Sequence, residues 1–471
     1  MTRTFKAVLI AAIWVFPACA VGPKYQRPDT ATPKEFRFVV GPQEAASIAD
    51  LPWWEMYKDP ILLGLLREAL ENNQDLRSAA ARVAEASSLV GVARADFFPT
   101  VGLQAEGTYG QQQAKNYRPG VGPSGSLNVS LGISWELDIW GRVRNSNDAA
   151  KAQLLATEEG RRAVILTLVS NVAQTYSELM ELDVELEIAR RTTVTRQGTL
   201  DLFTKRSLGG VGNDLEVTQG RAELAVTSAA IPATERMIAL KESKMSVLLG
   251  RSPGPIARAL STSDDVPLVL PMGVPASLLE RRPDVRAAED QVMASTSSVG
   301  VAIANRLPKL SLEGIIGLAG PTFPATFSGN GLNWGVGGGL MAPIFQGGRL
   351  SMQEQAAKDR LAGAVAQYRQ TVLTAWHEVS DAAISVRKLH EIAAQQSIQV
   401  TSALTAERLA RLRYEGGVSA YLDVLDAQRS SFNAELSLAQ TMSDERVAMI
   451  QLYQALGGGW QDLVPVPQKK K

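Results

Sequence analysis

Tyr414-Glu-Gly-Gly-Val-Ser-Ala-Tyr-Leu-Asp-Val-Leu-Asp-Ala-Gln-Arg429 divides two long helical patterns. Upstream, Arg349 to Tyr414 holds no proline and one interior glycine, Gly363. Downstream, Val418 to Leu456 holds neither residue. Proline and glycine are the residues that stop helices, so Gly416-Gly417 reads as the turn of a helical hairpin. Its arms run to roughly 65 and 38 residues, or about 100 Å and 57 Å at 1.5 Å per residue. Such lengths exceed ordinary globular helices and read as coiled-coil-like columns.

The hairpin has a twin in Ser207-Leu-Gly-Gly-Val-Gly-Asn-Asp-Leu-Glu-Val217, displaced by an offset of about 207 residues. Gly209-Gly210-Val211 falls on Gly416-Gly417-Val418, Leu249-Gly250 on Leu456-Gly457, and Gly141-Arg142 on Gly348-Arg349. Near the start of each half the offset is about 209, matching Asp75-Leu76-Arg77 to Asp284-Val285-Arg286 and Pro99 to Pro308. The chain is therefore a duplicated unit. Residues 60–270 form the first repeat and 271–456 the second, flanked by 1–18, 19–59 and a tail at 457–471.

In the 471 residues, 48 acidic and 48 basic side chains give zero formal net charge, which argues against a nucleic-acid partner. Residues 1–18 read as an export signal. Arg3 and Lys6 precede an apolar run of ten residues, Ala7 to Phe16, too short to span a bilayer. The only cysteine, Cys19, follows at once and is the expected site of lipid attachment after cleavage. Proline and polar residues from Ala20 to Leu51 read as an extended tether.

No other segment reads as a membrane helix, so any crossing must be by strands. Thr100 to Gly110 alternates Val101, Leu103, Ala105, Gly107 and Tyr109. After a loop at 111–125, Leu127, Val129, Leu131, Ile133, Trp135, Leu137 and Ile139 alternate with polar residues and glycine. The second half repeats this at 310–318 and 332–342, around a loop at 319–331. These lengths suit the roughly 9–11 tilted residues that cross a bilayer. Four strands cannot close a barrel, for which about eight are needed, and open edges are costly in lipid. Three copies supply twelve strands.

The long helices are expected at about 143–206 and 349–414. Pairing the arm at about 213–249 with the helix at about 278–305, and that at 418–456 with 60–95, would make two more columns of similar length. Narrow stripes such as Leu168, Val172, Tyr176 and Leu179, or Leu422, Leu425, Phe432 and Leu436, suit a wall one helix thick. His377 and His390 lie nearly on opposite faces of one helix and read as solvated positions. Gly337-Gly338-Gly339 sits in a strand without the lysine of a phosphate loop. Catalytic, metal-ligand and cofactor constellations are not legible, so the chain does not read as an enzyme.

With these features in place, the chain resembles the TolC-like outer membrane factors, in the lipoprotein branch that serves RND-type efflux systems. The resemblance rests on Cys19-Ala-Val-Gly-Pro-Lys-Tyr-Gln-Arg-Pro28, Trp53-Trp54, Asp59-Pro60, Asn73-Gln-Asp-Leu76, Leu279-Glu-Arg-Arg-Pro-Asp-Val285, Gly141-Arg142 and the stretch Tyr414 to Arg429. It implies a mainly α fold with membrane β: a periplasmic α-barrel tunnel under a trimeric twelve-stranded outer-membrane barrel. It further implies a lipid-anchored homotrimer meeting a periplasmic adaptor protein and, indirectly, an inner-membrane RND-type pump. The tips at 209–212 and 416–418, with Gly209, Gly210, Val211, Gly416, Gly417 and Val418, would contact the adaptor. Asp423 and Asp426 share a helix face, and three chains would stack them into two rings of carboxylates. Arg429 can reach Asp426, and Tyr414 and Glu216 occupy matching tip positions; the family closes its tunnel with such residues. Ser419 stands where some members carry an arginine. The expected function is a passive exit duct for small toxic molecules. The alternatives are a duct for protein or metal-ion export and a structural periplasmic coiled-coil scaffold.

Overall fold

The computed structural model describes residues 20–30, 47, 57, 59–110, 124–259, 278–328 and 331–458. In chain order the elements are α1 (Pro60–Asn72), α2 (Gln74–Ala95), β1 (Thr100–Gly110), β2 (Ser124–Leu137), α3 (Arg142–Leu208), α4 (Asp214–Leu248), α5 (Leu278–Arg281), α6 (Pro283–Ala304), β3 (Lys309–Gly320), α7 (Phe323–Thr326), β4 (Leu332–Met341), α8 (Arg349–Glu415) and α9 (Tyr421–Ala455). The duplication holds to the residue in three helix pairs. The long helices α3 and α8 are each 67 residues, α4 and α9 each 35, and α2 and α6 each 22.

Contacts divide the chain into two units. One holds residues 1–29, 82–158 and 287–369; the other holds 30–81, 159–286 and 370–471.

The first unit contains a four-stranded antiparallel sheet in the order β1-β2-β3-β4. Its register sorts side chains by chemistry, as period-two alternation requires. Leu103 pairs with Leu131, which pairs with Ile316, which pairs with Trp334. One position along, Gln104, Ser130, Gly317 and Asn333 line the opposite face. Much of the apolar face is uncovered among the described residues, with Leu103 at 73% and Trp334 at 74% exposure. An open cavity lies on the polar face, lined by Thr100, Gln104, Ser130, Ser134, Glu313 and Gly337. Ile315 breaks the expected polarity of that face, seated between Gly132 and Gly335. The expected loop at 319–331 contains the one-turn helix α7.

Glu136 and Asp138, expected on the wet face, have a structural task. The Asp138 carboxylate accepts from the backbone amides of Val143 and Arg144 at 2.9 and 3.0 Å, which caps α3. Glu136 accepts from Arg142 Nε at 2.7 Å. The segment 20–30 is strapped down in the same unit. Val21 N donates to Trp140 O at 3.0 Å, Asn145 Nδ2 donates to Val21 O at 3.0 Å, and Tyr25 donates to Glu289 at 2.6 Å.

The second unit is built on a long apolar seam. Leu168, Val172, Tyr176 and Leu179 of α3 are buried as their spacing requires, against Leu65, Leu66, Met245, Leu452 and Tyr453. Three expectations need correction here. The helix read as 60–95 breaks at Asn73, and that read as 278–305 breaks at Arg282. Both breaks hold another helix by its end. Asn73 Nδ2 donates to Leu248 O at 3.0 Å, and Arg282 Nη1 donates to Ala455 O at 3.0 Å. The C-terminus of α4 therefore meets the start of α2, and that of α9 meets the start of α6. Helix ends are spliced within each repeat, not across repeats. Terminal carbonyls need donors, and each break supplies one.

The second correction concerns α9, which starts at Tyr421 instead of Val418, because Val418 N is spent on Arg413 O in the turn that closes α8 and Ala420 stays extended as the cap residue. The third is Leu422, expected in the buried stripe but exposed, while Val424 and Leu425 are buried. Finally, α4 runs through Pro232. Pro232 and Ser228, whose carbonyl loses its usual donor, are both exposed, so solvent can serve that carbonyl.

Candidate functional site

Both hairpin tips close by the same mechanism. At the first, Gly210 takes φ 74°, Val211 N donates to Arg206 O at 3.0 Å, and Gly210 N donates to Ser207 O at 3.0 Å. At the second, Gly417 takes φ 70°, Val418 N donates to Arg413 O and Gly417 N donates to Tyr414 O, both at 2.9 Å. This is the Schellman ending, in which a left-handed glycine lets the last carbonyls be satisfied. Val211 and Val418 are each left 71% exposed at the apex, and Gly209 and Gly416 are exposed beside them.

The two returning helices start differently. Asn213 caps α4 by accepting from Leu215 N at 2.9 Å, whereas α9 has no side-chain cap. Asp423 sits in its first turn, where a carboxylate suits the helix dipole.

Below the tips the two hairpins are joined by aromatic rings. Phe203 meets Tyr421 edge-on at 4.1 Å and Tyr414 at 5.9 Å, and Tyr414 lies 5.7 Å from Tyr421. Arg206 Nη1 donates to the Tyr414 hydroxyl at 3.0 Å, and its guanidinium also lies 5.4 Å from that ring. The hydroxyl reaches Glu216 only at 3.5 Å. Burial pushes the Tyr414 phenol up, and burial followed by Glu223 pushes Tyr421 up to about 12, so both stay neutral donors at ordinary pH.

The next layer is ionic. Glu223 is 6% exposed and receives two arginines. Arg196, itself 3% exposed, contacts its carboxylate at 2.9 Å and its backbone carbonyl at 2.9 Å. Arg429 donates from Nε at 2.8 Å, while its side chain stays 54% exposed. Burial lowers the Arg196 value, and the Glu223 bond raises that of Arg429. Beside them Gln428 is buried, and neither of its amide atoms has a hydrogen-bond partner among the described residues.

Of the residues expected at the gate, Tyr414 and Glu216 do come together. Asp423 and Asp426 lie on one exposed face of α9 as their spacing implied. Arg429 is only 3.9 Å from Asp426, a looser contact than its bond to Glu223. Glu223, Arg196, Arg206, Phe203 and Tyr421 were not legible as partners, although a signal existed. Residues about 207 apart stand at the same height on the two hairpins, so opposite charges at that separation are candidate neighbours, as are Glu223 and Arg429. His390, read as solvated, instead bonds Glu445 through Nδ1 at 2.8 Å, and His377 faces Asp381 at 3.3 Å. Cys19 lies outside the described residues.

Comparison with known proteins gives one answer. The outer membrane efflux protein family matches residues 65–251 and 274–458. The chain is 32% identical over 448 residues to the cation efflux system protein CusC of Escherichia coli O6:H1, covering 94% of this chain and 96% of that one. It is likewise 32% identical over 470 residues to the solvent efflux pump outer membrane protein SrpC of Pseudomonas putida, covering 97% and 98%. The solved outer-membrane channel OprN superposes with a TM-score of 0.87 at 31% identity, over 94% of this chain and all of that one. Paired repeats, a two-faced sheet and glycine-tipped hairpins thus belong to one known architecture, and the chain is a member of the outer membrane efflux protein family, an outer membrane channel extending into the periplasm.

Proposed function

We propose that this chain is the passive exit duct of a tripartite efflux system, assembled as a homotrimer and conducting small toxic molecules outward. The observation that carries the reading is the sheet. It has one greasy face, one wet face and, among the described residues, free edges on β1 and β4. Open edges in hydrocarbon cost several kcal/mol per unpaired group, so edges must join, and three copies make an even-numbered barrel of twelve strands. The polar face with Ser130, Gln104 and Glu313 lines the lumen, and Leu131, Ile316 and Trp334 face lipid.

In this assembly an RND-type pump in the inner membrane supplies the energy, and a periplasmic adaptor docks on the tips at Gly209, Gly210, Val211, Gly416, Gly417 and Val418. Asp423 and Asp426 form the carboxylate rings of the periplasmic gate, with Arg429, Tyr414 and Glu216 around them. Acylated Cys19 anchors the chain. The strap from Val21 to Tyr25 supports this by starting two residues beyond it, against Trp140 in the turn between β2 and α3. The cargo class follows the relatives, whose names include a cation and a solvent system; small organic molecules suit a lumen of glycine, serine and scattered carboxylates.

Membrane extracts should contain a high-mass band in unheated detergent gels that collapses to the 50.6 kDa chain, less its leader, on boiling. Cells lacking the chain should become sensitive to the cargo and recover on complementation. A band that is monomeric without heating removes the barrel; a trimer with unchanged sensitivity to organic compounds, dyes and metals removes the efflux role.

A further inference from the structure

Between β3 and β4 the chain makes the single helical turn α7, opened by Thr322, whose hydroxyl caps Ala325 N at 3.4 Å. The side on which this turn lies follows from its glycines. Gly320 is in register with Leu127, so a Cβ there would point to the apolar face of the sheet. That Cβ would stand 2.6 Å from Thr326 N and 2.8 Å from its Oγ1. Gly125 shares the same face, and a Cβ there would stand 3.3 Å from Pro321 O. The turn is therefore folded over the apolar face, in room that the two missing side chains leave. Thr326 is wholly buried beneath it, and its hydroxyl donates to Thr322 O at 2.9 Å. The fold here is tight and specific, not a loose loop.

What the turn displays outward is apolar. Phe323 and Phe327 are 70% and 51% exposed, with ring centroids 4.9 Å apart. Tyr109 joins them at the same end of the same face, 81% exposed. A water-facing turn gains nothing from two adjacent phenylalanines, because each leaves a large apolar area in water. The patch is continuous with Leu127, Leu318 and Leu332 on the lipid side of the sheet. We propose that the Phe323–Phe327 turn is a membrane anchor, seated at the boundary between acyl chains and headgroups in the outer leaflet. It sets the depth of each sheet by an aromatic contact at the extracellular end, where interfacial aromatic rings are stable. The proposal rests on the barrel reading above.

The test uses the full chain reconstituted in phosphatidylcholine vesicles, with a nitroxide at Phe327→Cys. Collision with oxygen, which concentrates in lipid, is compared with collision with a water-soluble nickel chelate. Leu131→Cys and Gln104→Cys, both exposed, report the lipid and lumen faces, and the unsubstituted chain corrects for Cys19. The expected result is a label at 327 with oxygen collisions several-fold above nickel, intermediate between the two controls. If the controls differ and the 327 label matches Gln104→Cys, the anchor is overturned while the barrel stands. If the 327 label is shielded from both reagents, the turn packs on a neighbouring copy and the proposal is also overturned. If the two controls do not differ, the barrel reading fails and this proposal falls with it.

Discussion

Replacing Glu223 by alanine removes the centre of the ionic layer under the tips, and the structure says the two arginines will respond unequally. Arg429 keeps 54% of its side chain in water and has Asp426 within 3.9 Å, so it loses little, as exposed pairs do, about 0–1 kcal/mol. Arg196 is 3% exposed and is left as a buried charge whose remaining described contacts include the Glu223 backbone carbonyl and the Phe432 ring at 5.5 Å. Breaking a buried pair by removing one partner costs about 3–5 kcal/mol. The cost falls on α3, α4 and α9, which the layer joins. Amide hydrogen exchange on the assembled channel measures it directly, because local opening sets the rate. At about 1.4 kcal/mol per tenfold, protection in α4 and α9 near the tips should fall at least a hundredfold in Glu223→Ala. Arg429→Ala should lower it by less than tenfold. Adding Arg196→Met to Glu223→Ala should restore most of the loss, since the stranded charge is gone. Equal losses in Glu223→Ala and Arg429→Ala, or no rescue by Arg196→Met, would refute the reasoning.

Four further outcomes follow. Leu131→Asp should reduce assembled trimer, at about 2–4 kcal/mol per chain near the bilayer midplane, while Gln104→Asp, at an exposed position of the polar face, should not; equal loss in both contradicts the face assignment. In planar bilayers, Asp423→Ala with Asp426→Ala should raise single-channel conductance and weaken cation preference, with Glu391→Ala inert, and an unchanged double mutant would move the gate elsewhere. Burial first, then Glu185, Asp444 and Glu178, raises the Glu181 carboxyl to about 7. Its folded value lies above its unfolded one, so its neutral form favours the fold. Stability should therefore decline as pH rises from about 4.5 through 7, and Glu181→Gln should flatten that dependence in thermal melts. Mass spectrometry of the mature chain should find acylated Cys19 at the N-terminus, and a chain that retains Met1 rejects the anchor.

The duplication and both tips were legible because glycine at a left-handed turn is a strong local signal, and Gly210 and Gly417 occupy that region as expected. The four strands were legible because a two-sided environment forces alternation. The splicing of helix ends was not. Length alone could not say whether α4 meets α2 or α6, and the deciding groups, Asn73 and Arg282, act through single side-chain bonds to carbonyls 175 and 173 residues away. The cluster beneath the tips was half legible. Asp423 and Asp426 share a face by local spacing, which any helix reveals, whereas the Glu223 contacts are between helices. Ile315 was hidden by strand parity, since nothing local marks an apolar side chain placed among glycines of neighbouring strands.

The matched helix lengths carry a consequence for how such a chain can change size. Each tip is the far end of a 67-residue shaft, and the contacts beneath the tips bridge one shaft to the other, as between Arg206 and Tyr414. Inserting four residues in α8 alone would lift Tyr414 by about 6 Å, past both Arg206 and Phe203. The returning helix would no longer reach its splice at Arg282 either. Growth or shrinkage is therefore quantised across outgoing and returning helices in both repeats, and an insertion in one shaft is tolerated only when three other segments change with it.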